Sequence, residues 1–180
     1  MSLAASAREL RRVLRATPFA RRDGFRLRAI ADGRCVLAVP FSPALERPGG
    51  IVSGQVLMAA ADAAMWLAIM TRLGAHDGSV TSTMTTTFLR AARKEPVVCA
   101  ARIVKLGRRL IYGVAECAGR DGQLFSHHVI TYARPEEPGG TTQSRIQDSA
   151  RGISGRARSR SSATLAAGAR RRRPSTSARR

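Results

Sequence analysis

One carboxylate lies in the most apolar stretch of the sequence. Residues 49 to 70 read GGIVSGQVLMAAADAAMWLAIM, and Asp62 is their only ionisable side chain. A buried carboxylate without a partner costs several kcal/mol, or it stays protonated. Asp62 therefore either lies on a helix face that meets water, or it performs chemistry as a base or a nucleophile.

The start of the helix predicted for this stretch is the second group that can act chemically. Ser53, Gly54 and Gln55 precede the apolar run. The first backbone N–H groups of a helix have no partner within it and carry about half a positive charge, so they attract negative charge. Gly54 allows a ligand to approach the backbone closely. Ser53 has no base near it in the sequence, so we interpret it as a helix cap rather than a nucleophile.

The composition indicates one folded domain whose cysteines are in the reduced, thiol form. The chain has 180 residues, of which 44% are hydrophobic and only 4% aromatic, so aliphatic side chains and Met must build the core. The cysteines, Cys35, Cys99 and Cys117, form no C-x-x-C motif, which favours structural thiols in a cytoplasmic protein. Residues 56–70 are short for a membrane span of ~20 apolar residues, so we expect no membrane association.

The formal net charge of +19 is carried mostly by arginine at both ends of the chain. Residues 1–22 predict an amphipathic helix, although an Arg-rich, acid-poor start also resembles a mitochondrial transit peptide. Residues 135–180 lack large apolar side chains and predict a disordered tail with 11 arginines against three acids. If this protein binds nucleic acid, we expect the tail to do so. A shifted reading frame in GC-rich DNA would give the same composition.

Residues 23–134 predict an α+β domain. Two alternating segments joined by Asp32-Gly33 predict a hairpin, with Phe25, Leu27 and Ala29 on the inner face of its first strand. A buried helix follows at about residues 54–73, apolar on all sides and ended by Gly74. Three or four strands then follow in a meander, so neighbours should be antiparallel and should cover the helix.

Two segments resemble the PaaI-type acyl-CoA thioesterase family of the hotdog fold. The first is GGIVSGQVLMAAADAAMW; the second runs from TTTFLRAARKEP through the KLGRR turn to SHHVITYA. Together they lie within residues 49–133. The resemblance implies an antiparallel sheet wrapped around one long helix, and hydrolysis of a small aryl or medium-chain acyl-CoA. Coenzyme A would be part of the substrate, and no cofactor is implied.

The resemblance also implies how the helix would act. The N–H of Gln55, beside Gly54, would polarise the thioester carbonyl, and Asp62 would activate water or attack the thioester; both roles stay open. Seven residues separate Gln55 from Asp62, a rise of ~10 Å, so a single helix cannot bring them together. In relatives, the site lies between two subunits, which implies a homodimer or a dimer of dimers.

Substrate contacts are implied at several positions. Ser53 and Gln55 stand where many members have His-Gly-Gly, and Thr85 replaces a frequent Asn. Basic residues near strand ends meet the coenzyme A phosphates in relatives, and arginine forks suit phosphate. The corresponding arginines are Arg90, Arg93, Arg108 and Arg109. Adjacent His127 and His128 point to opposite faces of a strand, so we predict no metal site.

Three alternatives stay open. Asp62 could be purely structural, held by Ser or Thr hydroxyls of the sheet such as Thr85. The protein could be a catalytically weak hotdog acyl-CoA-binding protein. A hotdog dehydratase or hydratase is the third possibility, but the start of the helix lacks the His that those enzymes use.

Overall fold

The computed structural model describes residues 3–135 of the chain. Two short helices come first, then a hairpin, a small second hairpin, a long helix and four strands. Their bounds are α1 (Ala7–Ala16), α2 (Pro18–Arg22), β1 (Arg26–Ala31), β2 (Arg34–Val39), β3 (Glu46–Arg47), β4 (Ile51–Val52), α3 (Gly54–Leu73), β5 (Val80–Phe88), β6 (Val97–Leu106), β7 (Leu110–Ala118) and β8 (Leu124–Ala133). Most of the predicted tail lies outside the described residues.

Six strands form one antiparallel sheet in the order β1-β2-β6-β7-β8-β5. Helix α3 packs along one face of this sheet, chiefly against β2, β6 and β7. A twisted antiparallel sheet that wraps one long helix buries the apolar surfaces of both. The predicted hotdog architecture is therefore confirmed, including the helix that precedes it.

Helix α3 begins and ends where the sequence predicts. Ser53 caps its start by accepting a hydrogen bond from the Gln55 N–H at 3.3 Å, and Gly74 ends it with φ +97°. At 20 residues α3 is long and apolar enough to cross a membrane by length and composition, contrary to our expectation from residues 56–70. However, 67% of its most apolar window is buried within the fold, as in a core helix.

The N-terminal helix is amphipathic, as predicted. Ser6 and Glu9 form a reciprocal capping box at its start, while Leu10 and Leu14 are buried against the sheet. The backbone N–H of Ala4 donates to the carbonyl of Thr71 at 2.8 Å and ties this segment to the end of α3. The sequence analysis missed α2, a single turn, and the small β3–β4 hairpin in the loop before α3.

The alternation predicted for β1 is wrong after Leu27. The register with β2 shifts between Leu27 and Ala29, so Ile30 packs against the core and Ala29 is exposed. An extra residue in one strand reverses the faces of all residues beyond it. A strict two-residue period cannot reveal this bulge, because both registers place small or apolar side chains inside.

The three cysteines are free and fully buried, as their predicted structural role requires. Burial raises the pKa of the Cys35 thiol to about 12. A thiol with such a pKa stays protonated and is a poor nucleophile at neutral pH. Cys35 therefore acts as a small apolar side chain of the core.

Gly113 offers a test of how closely α3 packs on the sheet. A Cβ atom at this position of β7 would lie 2.8 Å from the backbone oxygen of Arg102 and would also collide with the side chain of Met65 on α3. Since the backbone cannot yield as a side chain can, we expect Gly113→Ala to cost about 1–3 kcal/mol in urea denaturation.

Gly78→Ala is the matched control, because a Cβ there meets only ordinary contacts with Pro135 at 3.5 Å. We expect its free energy of unfolding to change by less than about 0.5 kcal/mol. Equal losses in the two variants would contradict the close packing of β7 on α3.

Candidate active site

Asp62 is anchored to the sheet through one of its two carboxylate oxygens. On Oδ1 it accepts hydrogen bonds from Thr81 Oγ1 at 2.7 Å and from Tyr132 Oη at 2.7 Å. Tyr132 Oη also lies 3.0 Å from the backbone oxygen of Asp62. Both hydroxyls come from neighbouring strands, since Thr81 of β5 pairs with Tyr132 of β8. They fix the rotamer of Asp62 while Oδ2 makes no hydrogen bond within residues 3–135.

This anchor sits at the boundary between core and solvent. Tyr132 is buried, Asp62 is partly exposed and Thr81 is exposed. Burial, followed by the negative charge of Asp62 and the hydrogen bond to it, raises the pKa of Tyr132 well above its usual value. The phenol therefore stays a neutral donor to Asp62 across the physiological pH range.

The sequence analysis anticipated a hydroxyl contact to Asp62 but chose the wrong residue. Met84 packs on the core and Thr86 Oγ1 lies 2.9 Å from Nδ1 of buried His128, so both face α3. Thr85 alternates with them and lies on the outer face of the sheet. A register shift between Thr81 and Thr83 turns Thr81 inward instead. Thr85 therefore does not contact Asp62 within one chain, and its contact with substrate stays a prediction.

A cleft of about 450 Å³ opens at the start of α3. Its walls are mostly apolar, with Gly54, Leu57 and Phe88 among them, and Arg47 and Arg90 also line it. The Phe88 ring lies so close to Gly54 that an added Cβ would be 2.9 Å from its Cζ. Gly54 allows this close approach, and its contact with Phe88 could be found only from the tertiary structure.

One chain keeps the acid and the helix start apart, as the sequence predicts. Gln55 is exposed at the first turn of α3, whereas Asp62 lies about two turns further along the same rigid helix. The Gln55 N–H already donates to Ser53 at 3.3 Å, a long bond that confirms Ser53 as a cap. Within one chain, Asp62 therefore does not lie against the cleft at Gly54.

The four predicted arginines fall into two groups. Arg90 lines the cleft, and Arg93 nearby donates to the backbone oxygen of Gly49 at 3.2 Å. Arg108 and Arg109 are exposed in the turn between β6 and β7. Leu110, just after this turn, pairs with Ala133 of β8, which in turn pairs with Val80 of β5. The turn therefore lies at the end of the sheet that is near Asp62 and away from the cleft.

The histidine pair belongs to the sheet rather than to a metal centre. His128 is fully buried, and its Nε2 lies 2.8 Å from Ser126 Oγ while its Nδ1 faces Thr86. His127 is only partly buried on the opposite face. Within residues 3–135, no three His, Cys, Asp or Glu side chains are grouped so that they could hold a metal ion.

Comparison with known proteins identifies the family. The sequence pattern of the thioesterase superfamily matches residues 49–124. The chain is 30% identical over 124 residues to "Putative esterase Ta0293" of Thermoplasma acidophilum, which covers 69% of this chain and 93% of that protein. The chain belongs to the thioesterase superfamily. The comparisons do not distinguish the PaaI-type group within this superfamily.

Solved structures share the fold. A conserved protein of Pseudomonas aeruginosa, PA5202, superposes with a TM-score of 0.66 at 27% identity, over 72% of this chain and all of that one. Zebrafish thioesterase superfamily member 2 has the same fold, with a TM-score of 0.66 at 22% identity over 75% and 99% of the two chains. A hypothetical thioesterase of Streptococcus pneumoniae, crystallised with coenzyme A, also has this fold. Its TM-score is 0.57 at 15% identity, over 63% of this chain and 87% of that one.

The raised pKa of Tyr132 gives a testable pH dependence. Because the folded-state pKa exceeds the usual value of 10.0, the Tyr132 proton contributes stability that is complete below pH 10. Above that pH, the unfolded chain loses this proton first, so the free energy of unfolding falls. Between pH 9 and 11, we expect the free energy of unfolding, measured by urea denaturation, to fall less steeply for Tyr132→Phe than for wild type.

Tyr112→Phe is the matched control, since Tyr112 is the second of the two tyrosines and is 41% exposed. It should follow the wild-type pH dependence. Parallel pH profiles for wild type and Tyr132→Phe would contradict the buried phenol–carboxylate contact.

Proposed function

We propose that two copies of this chain form a site that hydrolyses acyl-CoA thioesters carrying a small aryl or medium-chain acyl group. The observation that carries the proposal is the anchored Asp62. Its Oδ1 is held by two hydroxyls, while Oδ2 is left for a ligand at the solvent boundary. Thr81 and Tyr132 would act as positioning residues and Asp62 as the catalytic carboxylate. Membership in the thioesterase superfamily supports this reaction class.

The exposed edge of the sheet supports pairing of two copies. Within the described residues β5 pairs only with β8, so its other edge is free. Val80 and Phe88 on this strand are 64% and 53% exposed, and Met58 on α3 is 37% exposed one turn before Asp62. An unpaired strand beside uncovered apolar side chains is a ready surface for a second copy.

Antiparallel pairing of two β5 strands would complete the site. Thr81 is near one end of β5, beside Asp62, and Phe88 is at the other end, beside Gly54. If two such strands pair about Met84 and Thr85, the Asp62 end of each copy meets the Gly54 end of its partner. The twofold symmetry then produces two identical sites. The distance that α3 imposes within one chain is bridged by the second chain.

In such a site the chemistry divides between the two copies. The thioester carbonyl lies at the start of one α3, where backbone N–H groups stabilise the developing oxyanion; one such donor is typically worth ~3 kcal/mol. Asp62 of the other copy either removes a proton from the attacking water or attacks the carbonyl itself to form an anhydride that water then cleaves. On both routes the C–S bond breaks and coenzyme A leaves as the thiol.

The same pairing supports a role for the two arginine groups. Arg108 and Arg109 lie at the Asp62 end of one chain, and Arg90 and Arg93 lie at the cleft end. Pairing through β5 would bring Arg108 and Arg109 of one copy toward the cleft end of its partner, where the other two arginines lie. Such a cluster suits the phosphates of coenzyme A, and the S. pneumoniae thioesterase with coenzyme A is similar in fold.

A binding protein without strong catalysis is the second candidate. The Gln55 N–H that would polarise the carbonyl is already bonded to Ser53, although the bond is long at 3.3 Å. If a substrate cannot displace this contact, acyl-CoA would bind and not be hydrolysed. The dehydratase alternative gains no support, because His128 is enclosed in the core between Ser126 and Thr86.

Asp62→Asn tests the carboxylate. Since a positioned general base typically contributes 10²- to 10⁴-fold, we expect the release of free coenzyme A from acyl- and aryl-CoA substrates to fall by at least about 100-fold. Glu116→Gln, which removes an exposed carboxylate of β7, should keep wild-type activity. Circular dichroism checks the fold of both. Unchanged turnover in folded Asp62→Asn would refute the assignment.

Subunit complementation tests the shared site. We expect Asp62→Asn and Gly54→Val each to be inactive alone, the second because a side chain at Gly54 meets the Phe88 ring. After the two are mixed under dissociating conditions, half the dimers are heterodimers with one intact site each. About a quarter of wild-type activity should therefore return. If both functional groups served one site in one chain, mixing would restore nothing.

A further inference from the structure

A row of arginines covers the side of the molecule formed by α1 and β1. Arg8, Arg11, Arg12 and Arg15 recur every three or four residues and form one exposed stripe on α1. On β1, Arg26 and Arg28 are also exposed. These six residues are called the arginine track below.

Among the described residues, no arginine of the track is held in an ion pair. Within residues 3–135 the only ion pairs are Arg22 with Asp23 and Arg72 with Asp32. Glu9 is the carboxylate on α1, and it is engaged in the capping box with Ser6. Like charges at this spacing repel each other, so an anionic partner would relieve a cost that the folded chain bears.

The track is continuous from α1 to β1. Arg8, Arg11, Arg12 and Arg15 lie with Ser6 and Glu9 on the exposed face of α1. A cleft of about 240 Å³ includes Arg11 and Arg15 and continues to Arg26 over a floor that includes Leu14 and Phe25. Next to it, a cleft of about 400 Å³ shares Arg26, adds Arg28 and ends near Arg120.

This surface is separate from the thioester site. β1 and β5 are the opposite edges of the six-stranded sheet. Five strand spacings separate them, about 24 Å. A partner on the arginine track would therefore not contact Asp62 or the cleft at Gly54, and the inference does not rest on the proposed function.

We propose that the arginine track binds the phosphodiester backbone of nucleic acid, without sequence preference. Arginine forks match phosphate geometry, and a row of arginines that runs from α1 into the clefts beside β1 suits a linear polyanion. A bilayer is flat and cannot enter the clefts between α1 and β1. Moreover, none of the large exposed apolar side chains of the described residues lies on α1, α2 or β1, so the surface has no group to insert into lipid.

The test uses the full chain and a duplex DNA oligonucleotide of mixed sequence. Affinity is measured by fluorescence anisotropy over a series of salt concentrations, for wild type and for Arg11→Gln/Arg15→Gln. Each lost phosphate contact lowers the slope of log K against log salt by about 0.9, so we expect the double variant to lower it by about 1.8. The circular dichroism spectrum should match that of wild type, which confirms that the variant folds.

Arg102→Gln/Lys105→Gln is the matched control, because it removes two exposed charges from β6, outside the track. It should keep the wild-type slope. Equal slopes for wild type and the Arg11/Arg15 variant, or an equal loss in the control, would overturn the proposal. So would binding to vesicles of phosphatidylcholine with about 30 mol % phosphatidylserine that is tighter than binding to DNA and is lost in the Arg11/Arg15 variant.

Discussion

The burial of α3 is the constraint on which the structure depends. A helix that is apolar on every side must be covered almost completely, and the six-stranded sheet does this by wrapping around it. The cover ends at β5, so one stripe of α3 stays uncovered beside that strand. Met58, Asp62 and Trp66 follow each other at four-residue spacing along this stripe, and none of them is buried, whereas most residues of the helix are. Asp62 is tolerated in an apolar helix because it lies where the cover stops.

The same boundary gives Asp62 both its support and its freedom. Tyr132 on β8 reaches it from the buried side and Thr81 on β5 from the exposed side. Two hydrogen bonds to one oxygen fix the carboxylate without enclosing it. Both a catalytic carboxylate and a ligand-binding one must be held in place and stay accessible in this way. A fully enclosed Asp62 would have been protonated or prohibitively costly. The rigid helix meanwhile holds the acid two turns from its own N-terminus, so any site that uses both groups requires two copies.

The sequence was sufficient wherever local chemistry decides the structure. Ser53 and Gly74 mark the ends of α3, and Asp32-Gly33 marks a hairpin, because caps and turns depend on a few adjacent residues. It failed at the two register shifts, in β1 after Leu27 and in β5 after Thr81. Each bulge reverses which side chains face α3, and no local pattern encodes it. The choice of Thr85 over Thr81 followed from this.

The partners of Asp62 depend on contacts between distant segments. Tyr132 is 70 positions away in the chain, and its role depends on the pairing of β8 with β5 beside α3. The sequence can predict that an isolated carboxylate needs hydroxyl donors, yet it cannot rank the donors that the sheet offers. Likewise, the sequence shows many arginines, but only the tertiary structure joins α1 and β1 into one track.

The two free edges of the sheet have different physical characters, and this bears on any assembly. The β5 edge carries exposed Val80 and Phe88, whereas the β1 edge lies beside the arginine track. Like charges at β1 disfavour pairing of two copies there, so self-association should use β5. A dimer formed through β5 would have twelve strands in one sheet and an arginine track at each end, about 53 Å apart when measured along the curved sheet. One polyanion long enough to span that distance would engage both tracks, and its second contact would then form at high effective concentration.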